Sequence, residues 1–307
     1  MTIRSNTTVL VPDEYGFDAL TGVDGLTPVR YTPGEPWPEG AREAEVLVPG
    51  FLTPMNGLDL TELPNLKLVQ LLTAGVESWV GRLPDGILLS SGRGAHGGST
   101  AEWVLAALLA IYRELPQFGE DVKQARWDQH VTDTLWHKRI LIVGAGDLAK
   151  ELVRRLDAFD AYSTVVATKA REGVRGADEL PALLPEHDAA VLVVPLTEAT
   201  TGMVDADFLA RMPDGAVLVN AARGPVVDTD ALLAELKSGR LRAALDVTDP
   251  EPLPSDHPLW TAPGLLLTPH VAGSTRGHRD RAYAIAIAEI RRFVAGERPH
   301  NLVAGAY

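Results

Sequence analysis

The chain has 307 residues, a formal net charge of −13, a pI near 5.0 and no cysteine. Disulfides, thiolate metal sites and cysteine nucleophiles are thereby excluded, and an anionic surface argues against nucleic acid or an anionic membrane as a partner. The length suggests two domains, and 46% hydrophobic with 22% charged residues is ordinary for a globular enzyme.

Residues 1–10 have neither a basic start nor a long apolar core, so no signal peptide is expected. A cytoplasmic setting is the simplest one for a chain without cysteine. No apolar run reaches the ~18 residues of a membrane-spanning helix; the apolar stretch 103–112 is bracketed by Glu102 and Arg113. Short β-rich runs come first, at 9–11, 46–48, 67–71 and 87–89. The prolines between Thr27 and Gly40 predict a loop there. Ser99-Thr100-Ala101-Glu102 reads as a capping box that opens a long apolar helix. Beyond it, apolar runs at 139–143, 164–167, 189–194, 216–220, 243–246 and 265–267 alternate with helical stretches at 147–159, 206–212 and 230–238. This alternation predicts an α/β fold, with a doubly wound parallel sheet covered on both faces as a Rossmann-like nucleotide domain over 99–275. Residues 276–295 have helical spacing, and the tail Asn301-Leu302-Val303 is too short to stand alone. It is expected to cross back and complete a domain made of 1–98 and 276–307.

The first strand of the nucleotide domain runs into Val143-Gly144-Ala145-Gly146-Asp147-Leu148-Ala149. Gly144 permits a tight turn, Gly146 lets the backbone approach a pyrophosphate, and Ala149 takes the third small position. The N–H groups of the helix start, at Asp147 and Leu148, then point at the phosphates. Asp147 brings a carboxylate to this turn. Capping its own helix is its plainer role, and it is expected to turn outward from the cofactor. The second strand ends in Thr168-Lys169-Ala170-Arg171, where the fingerprint asks for an acid on the adenine ribose. Lys169 and Arg171 suit a 2′-phosphate instead, so NADP is preferred and NAD is the alternative. Two solvated loop cations would look the same.

Three polar segments follow, each at the C-terminal end of an apolar strand, where open α/β sheets bind ligands. They are Asn220-Ala221-Ala222-Arg223-Gly224, then Ala244-Leu245-Asp246-Val247 leading on to Glu251, then Thr268-Pro269-His270-Val271-Ala272-Gly273-Ser274-Thr275. In this order they resemble the D-isomer-specific 2-hydroxyacid dehydrogenase family, over nearly the whole chain from about Lys67. The resemblance implies that Arg223, Glu251 and His270 are the catalytic set. Leu72-Thr73-Ala74-Gly75-Val76 resembles a loop whose N–H groups hold a substrate carboxylate, so Ala74, Gly75 and Val76 join Arg223 as substrate contacts. Around the cofactor stand Gly144, Gly146, Asp147, Leu148, Thr168, Lys169, Arg171, Pro195, Ala221, Ala222, Asp246, His270 and Gly273. Asp246 matches a position at the nicotinamide amide; capping of the turn after its strand is its plainer role. The family fold is split, with a smaller flavodoxin-like α/β substrate domain built from both chain ends. Its nucleotide domains pair into homodimers through the region of the helix near Ser99. That helix is apolar on several faces between Trp103 and Ile111, which fits pairing and equally fits burial within the chain.

The chemistry is coherent. A 2-oxo acid is an anion with an electrophilic carbonyl, and Arg223 offers it a planar fork of donors. Reduction leaves an alkoxide that needs a proton, which His270 can supply, with Glu251 fixing the imidazole tautomer. The expected reaction is therefore hydride transfer between NAD(P)H and a small 2-oxo or 2-hydroxy acid, of the glyoxylate or hydroxypyruvate reductase type. Two alternatives stand beside it. One is a phosphoglycerate dehydrogenase-like enzyme, against which the end of the chain at Tyr307 without a regulatory domain is the expectation. The other is a catalytically silent nucleotide-binding redox sensor or interaction module, motivated by Asp147 and the missing ribose acid. Metal-ligand motifs are absent from the sequence, so no metal is expected.

Overall fold

The computed structural model describes residues 6–51 and 53–303. Residues 1–5 of the amino-terminal segment lie outside the described residues. The chain divides into two compact units, Met1–His96 with Arg276–Tyr307, and Gly97–Thr275.

The first unit opens with β1 (Thr7–Val11), α1 (Glu14–Leu20), β2 (Leu26–Arg30), β3 (Val46–Leu47), β4 (Leu68–Gln70) and β5 (Leu88–Ser90). The strands form one parallel sheet in the order β2-β1-β3-β4-β5, the flavodoxin-like order. Side chains alternate across it. Val9, Val11, Val46 and Leu68 enter one core, and Leu10, Leu47 and Val69 enter the other. The loop expected from the prolines after Thr27 is corrected here, since Pro28 lies within β2 in register with Val9. β2 is an edge strand, and an edge position tolerates a residue that lacks an N–H.

The second unit begins with α2 (Gly97–Tyr112) and α3 (Leu115–Lys123). Then come β6 (Arg139–Val143), α4 (Asp147–Asp157), β7 (Tyr162–Ala167), β8 (Arg175–Gly176), α5 (Leu180–Leu183) and β9 (Ala189–Leu192). α6 (Ala206–Arg211), β10 (Val217–Asn220), α7 (Thr229–Ser238), β11 (Arg242–Leu245) and β12 (Leu265–Leu267) complete it. Its seven-stranded sheet has the order β12-β11-β10-β9-β6-β7-β8, parallel throughout. Read from β8, this is the doubly wound nucleotide-binding order. β9 and β10 are buried at every residue, as central strands covered on both faces should be. Ile140, Ile142, Val217 and Val219 pack under α2 and α4; Leu141, Val143, Leu218 and Leu245 pack on the opposite face.

The capping box at Ser99 is also corrected. α2 begins at Gly97, so Ser99 is already its third residue. Two glycines in a row read as a helix breaker, but Gly97 has a packing reason. A Cβ there would meet the Asp147 carboxylate at 2.4 Å. The same contact corrects the expectation for Asp147. Gly146 is the N-cap of α4, which makes Asp147 its first residue, and the half-buried Asp147 carboxylate lies against the first turn of α2 rather than turning outward. α2 buries Val104, Leu108, Ile111 and Tyr112 in its own unit, while Trp103, Leu105 and Leu109 are half-buried.

The chain then returns to the first unit through α8 (His278–Val294), which packs Ala282, Tyr283, Ala286 and Ile290 on the β1–β4 face. The tail is sewn in by hydrogen bonds. Val303 donates its N–H to the Leu89 carbonyl at 2.9 Å, and Ser91 donates to the Asn301 carbonyl at 3.0 Å. No helix among the described residues is long and apolar enough to cross a membrane.

Candidate active site

β10, β11 and β12 lie side by side in the sheet, so the segments that leave their C-terminal ends are neighbours. The first carries Arg223. Asn220 shapes this turn, accepting from Ala222 N–H at 3.0 Å and donating to the Arg223 carbonyl at 2.9 Å. This is the local side-chain bonding that favours Asn in turns. Ala222 is buried by the same turn, whereas Ala221 and Arg223 are half-buried. The Arg223 guanidinium donates to the Ala222 carbonyl at 2.6 Å.

The second segment carries Glu251. It approaches the first so closely that a Cβ on Gly224 would stand 1.9 Å from the Thr248 carbonyl oxygen. Thr248 donates its hydroxyl to the Pro250 carbonyl at 2.8 Å, and Thr229 donates to the Asp249 carbonyl at 3.1 Å. On the far side of Glu251, the exposed Trp260 donates its indole N–H to the Pro254 carbonyl at 2.7 Å. These bonds hold a proline-rich loop whose regular structure is limited to one 3-10 turn, Pro258–Thr261.

The third segment carries His270, whose Nδ1 lies 2.5 Å from Glu251 Oε1. Nδ1 is therefore the donor, and Nε2 remains for exchange with a ligand. The two side chains keep 48% and 41% of their exposure, so solvent or a small substrate can reach them. An ion pair this exposed adds little to stability. Its value is geometric, because it fixes the tautomer and the ring plane.

The Gly-rich turn follows β6. Gly144 has φ 121°, and a Cβ there would stand 2.5 Å from the Val193 carbonyl oxygen, so only glycine fits. At Gly146 no atom lies within 4 Å of where a Cβ would be, and α4 starts there without a side-chain cap. An open cradle at a helix N-terminus suits a pyrophosphate, and a dinucleotide fits these residues. Leu148 is half-buried beside it. Thr168, Lys169 and Arg171 are exposed just beyond β7, with Arg171 and Val174 closing a tight turn through two backbone bonds of 2.9 Å. Pro195 is exposed beyond the end of β9; Gly273 is half-buried after His270. Asp246 is buried and directs its carboxylate into the His270 loop. Among the described residues no group of three or more His, Asp or Glu is arranged to hold a metal ion.

Ala74, Gly75 and Val76 belong to the other unit, following β4. The Thr73 hydroxyl donates to the Gly75 carbonyl at 3.0 Å, and Gly92 N–H donates to the Thr73 carbonyl at 2.6 Å. Ala74 is exposed, Gly75 half-buried and Val76 in the core. His96, from the same unit, donates through Nε2 to the Leu72 carbonyl at 3.1 Å. Asn220, Gly224 and Thr268 stand in the segments quoted from the sequence, where no role was expected of them. Asn220 could have been found as the Asx residue of a turn directly before Arg223.

A model of the D-isomer specific 2-hydroxyacid dehydrogenase NAD binding domain matches residues 105–272. The chain is 32% identical over 256 residues to glyoxylate/hydroxypyruvate reductase B of Yersinia pestis (strain Pestoides F), an alignment covering 78% of each protein. It is 30% identical to D-3-phosphoglycerate dehydrogenase of Methanocaldococcus jannaschii, across 96% of this chain and 59% of that one. The crystal structure of a D-isomer specific 2-hydroxyacid dehydrogenase from Xanthobacter autotrophicus Py2, in complex with NADPH and MES, aligns with a TM-score of 0.82. It shares 32% identity, and the alignment covers 98% of both chains.

Proposed function

Since the chain belongs to the D-isomer-specific 2-hydroxyacid dehydrogenase family, we propose that it reduces a small 2-oxo acid of the glyoxylate or hydroxypyruvate type with NADPH. In reverse it oxidises the corresponding 2-hydroxy acid. The observation that carries this reading is the His270–Glu251 pair at 2.5 Å, one strand end away from Arg223.

The reduced nicotinamide supplies the hydride that adds to C2 of the oxo acid. Arg223 binds the carbonyl and carboxylate oxygens through its planar donors and stabilises the charge that grows on the carbonyl oxygen. The N–H groups of Ala74, Gly75 and Val76 take the substrate carboxylate. His270 carries a proton on Nε2 to the new alkoxide, while Glu251 accepts from Nδ1 and keeps the ring in register. In the oxidative direction Nε2 receives that proton.

Gly144, Gly146, Asp147 and Leu148 form the cofactor's pyrophosphate turn, and Pro195, Ala221, Ala222, Asp246 and Gly273 border the nicotinamide side. Thr168, Lys169 and Arg171 face the adenine ribose and favour a 2′-phosphate over a bare hydroxyl. A related enzyme crystallised with NADPH supports that preference, with NAD as the weaker cofactor. We place the enzyme in the cytoplasm, where a chain without cysteine has nothing to gain from an oxidising environment. A homodimer is also part of the reading. Its support is the run of exposed apolar side chains Leu115, Val122, Trp127, Val131 and Trp136 in α3 and the segment after it.

The test is NADPH and NADH oxidation followed at 340 nm with glyoxylate, hydroxypyruvate and larger 2-oxo acids. Turnover faster with NADPH than with NADH is expected. Nucleotide binding without turnover on any acid would favour the silent-module reading instead.

A further inference from the structure

Asp246 follows the last residue of β11 and is 4% exposed. The hydrogen bonds to its carboxylate come from the segment that carries His270. Oδ1 accepts from the Thr268 hydroxyl at 2.7 Å and from Val271 N–H at 2.9 Å. Oδ2 accepts from Ala272 N–H at 2.9 Å. The Asp246 carbonyl accepts from His270 N–H at 2.7 Å. The three carboxylate bonds flank His270 on both sides, and the carbonyl bond reaches His270 itself.

A carboxylate this buried needs such donors, and charged acceptors make the stronger class of hydrogen bond. The constraint falls on a residue that needs it. His270 has φ 54°, a left-handed conformation that a residue with a side chain keeps only when its surroundings hold it. In that conformation its Nδ1 meets Glu251. Glu251 lies five residues after Asp246 on the segment leaving the same strand, so the two halves of the proton-transfer pair are anchored at one point. Both carboxylate oxygens are already engaged by the loop.

Resting on the function proposed above, we propose that Asp246 is a positioning residue for proton transfer. Its buried carboxylate, gripped by Thr268, Val271 and Ala272, holds the backbone of His270 so that the ring is presented to Glu251. Thr268 shares the role as the side-chain partner of that clamp.

The test uses Thr268→Val, Asp246→Asn and, to assign the resonance, His270→Asn, each in the full chain labelled with 15N-histidine. Thr268→Val is nearly isosteric and removes one bond. Asp246→Asn turns one acceptor into a donor that faces Ala272 N–H. In the wild type the 15N shifts of His270 report protonated Nδ1. In both variants that signature moves toward the mixture of tautomers of a free imidazole. kcat falls in both variants, by about a hundredfold in Asp246→Asn for a displaced ring, while in Thr268→Val KM for the oxo acid and the Kd for NADPH stay within about twofold. Asp246→Asn adds nothing in a His270→Asn background, because residues acting as one unit are not additive. Unchanged His270 shifts and kcat in Thr268→Val overturn the proposal even if Asp246→Asn cannot be recovered folded. A loss in Asp246→Asn that lies only in the NADPH Kd, with the tautomer signature intact, also overturns it and leaves Asp246 a cofactor contact alone. The nitrogen shifts need no turnover. A wild type inactive on every oxo acid therefore contradicts the proposed reaction, and an unmoved tautomer contradicts the clamp.

Discussion

Gly224 joins two of the three polar segments of the candidate site by having no side chain. A Cβ there would stand 1.9 Å from the Thr248 carbonyl oxygen and 2.7 Å from the Asp249 nitrogen, both main-chain atoms. Gly224→Ala should push apart the segments that carry Arg223 and Glu251. We expect a loss of about 1–3 kcal/mol in urea unfolding, as for other overpacked sites, together with a fall in kcat/KM. Stability and kinetics both like those of the wild type would show that this close approach is dispensable. His270→Asn is expected to lower kcat by at least about a hundredfold, the scale of general acid catalysis, with NADPH affinity unchanged. At the ribose end, Lys169→Glu with Arg171→Glu should weaken NADPH about tenfold or more, by loss of charge-assisted bonds, and leave NADH nearly untouched in fluorescence titrations. Equal effects on the two nucleotides would mean that these exposed cations are ordinary loop residues. That Arg223, Glu251 and His270 leave neighbouring strand ends was legible in the sequence, because each follows an apolar strand run in a recognisable segment. Thr268 was named within its segment, but its bond to Asp246 spans 22 positions and two strands, which no local spacing reveals.

At the level of elements, hydrophobic periodicity found most strands, because a central parallel strand is a continuous apolar run. It missed β2, where Pro28 disguises an edge, and it started α2 late, because Gly97 and Gly98 imitate a break. The reason for Gly97 is a neighbour distant in sequence, the Asp147 carboxylate. The tail gives a further prediction. Asn301 donates through its side chain to the Arg93 carbonyl at 2.9 Å and accepts from Arg93 Nε at 3.2 Å, while its N–H donates to the buried Glu289 at 2.8 Å. Asn301→Ala should cost about 1–3 kcal/mol, since the Arg93 carbonyl loses a donor. A urea midpoint equal to the wild type's would contradict this.

The pH dependence also belongs to an element, the segment after α3. The Glu114 hydrogen bond raises the His130 imidazole above its ordinary value, with burial opposing it and Asp128 reinforcing it. A raised histidine contributes stability that is fully present below its unfolded value of about 6.5 and is lost as pH rises through the folded one. The Tm of the wild type should therefore exceed that of His130→Gln in mildly acidic buffer, and the gap should close in alkaline buffer. A gap that widens with pH would reverse the assignment.

For the whole molecule, the apolar side chains left uncovered after α3 distinguish a lone chain from a paired one. Trp127 is 92% exposed and Val131 is 96% exposed. Light scattering at micromolar concentration should show a dimer, and Trp127→Glu with Val131→Glu should give a folded monomer; a monomeric wild type would contradict the pairing. The sequence pointed to α2 for this role. The structure buries much of α2 within its own unit and leaves the uncovered surface to the residues that follow. The central claim, that Arg223, Glu251 and His270 run a hydride transfer to C2 of a 2-oxo acid, has a direct measurement. NADPH deuterated at C4 is supplied with glyoxylate's larger homologues, and the 2-hydroxy acid is recovered and resolved on a chiral column by mass spectrometry. The account predicts the D-acid, carrying one deuterium at C2 when the label is on the transferred face. An L-acid, or a product unlabelled from either face of the nicotinamide, would contradict it.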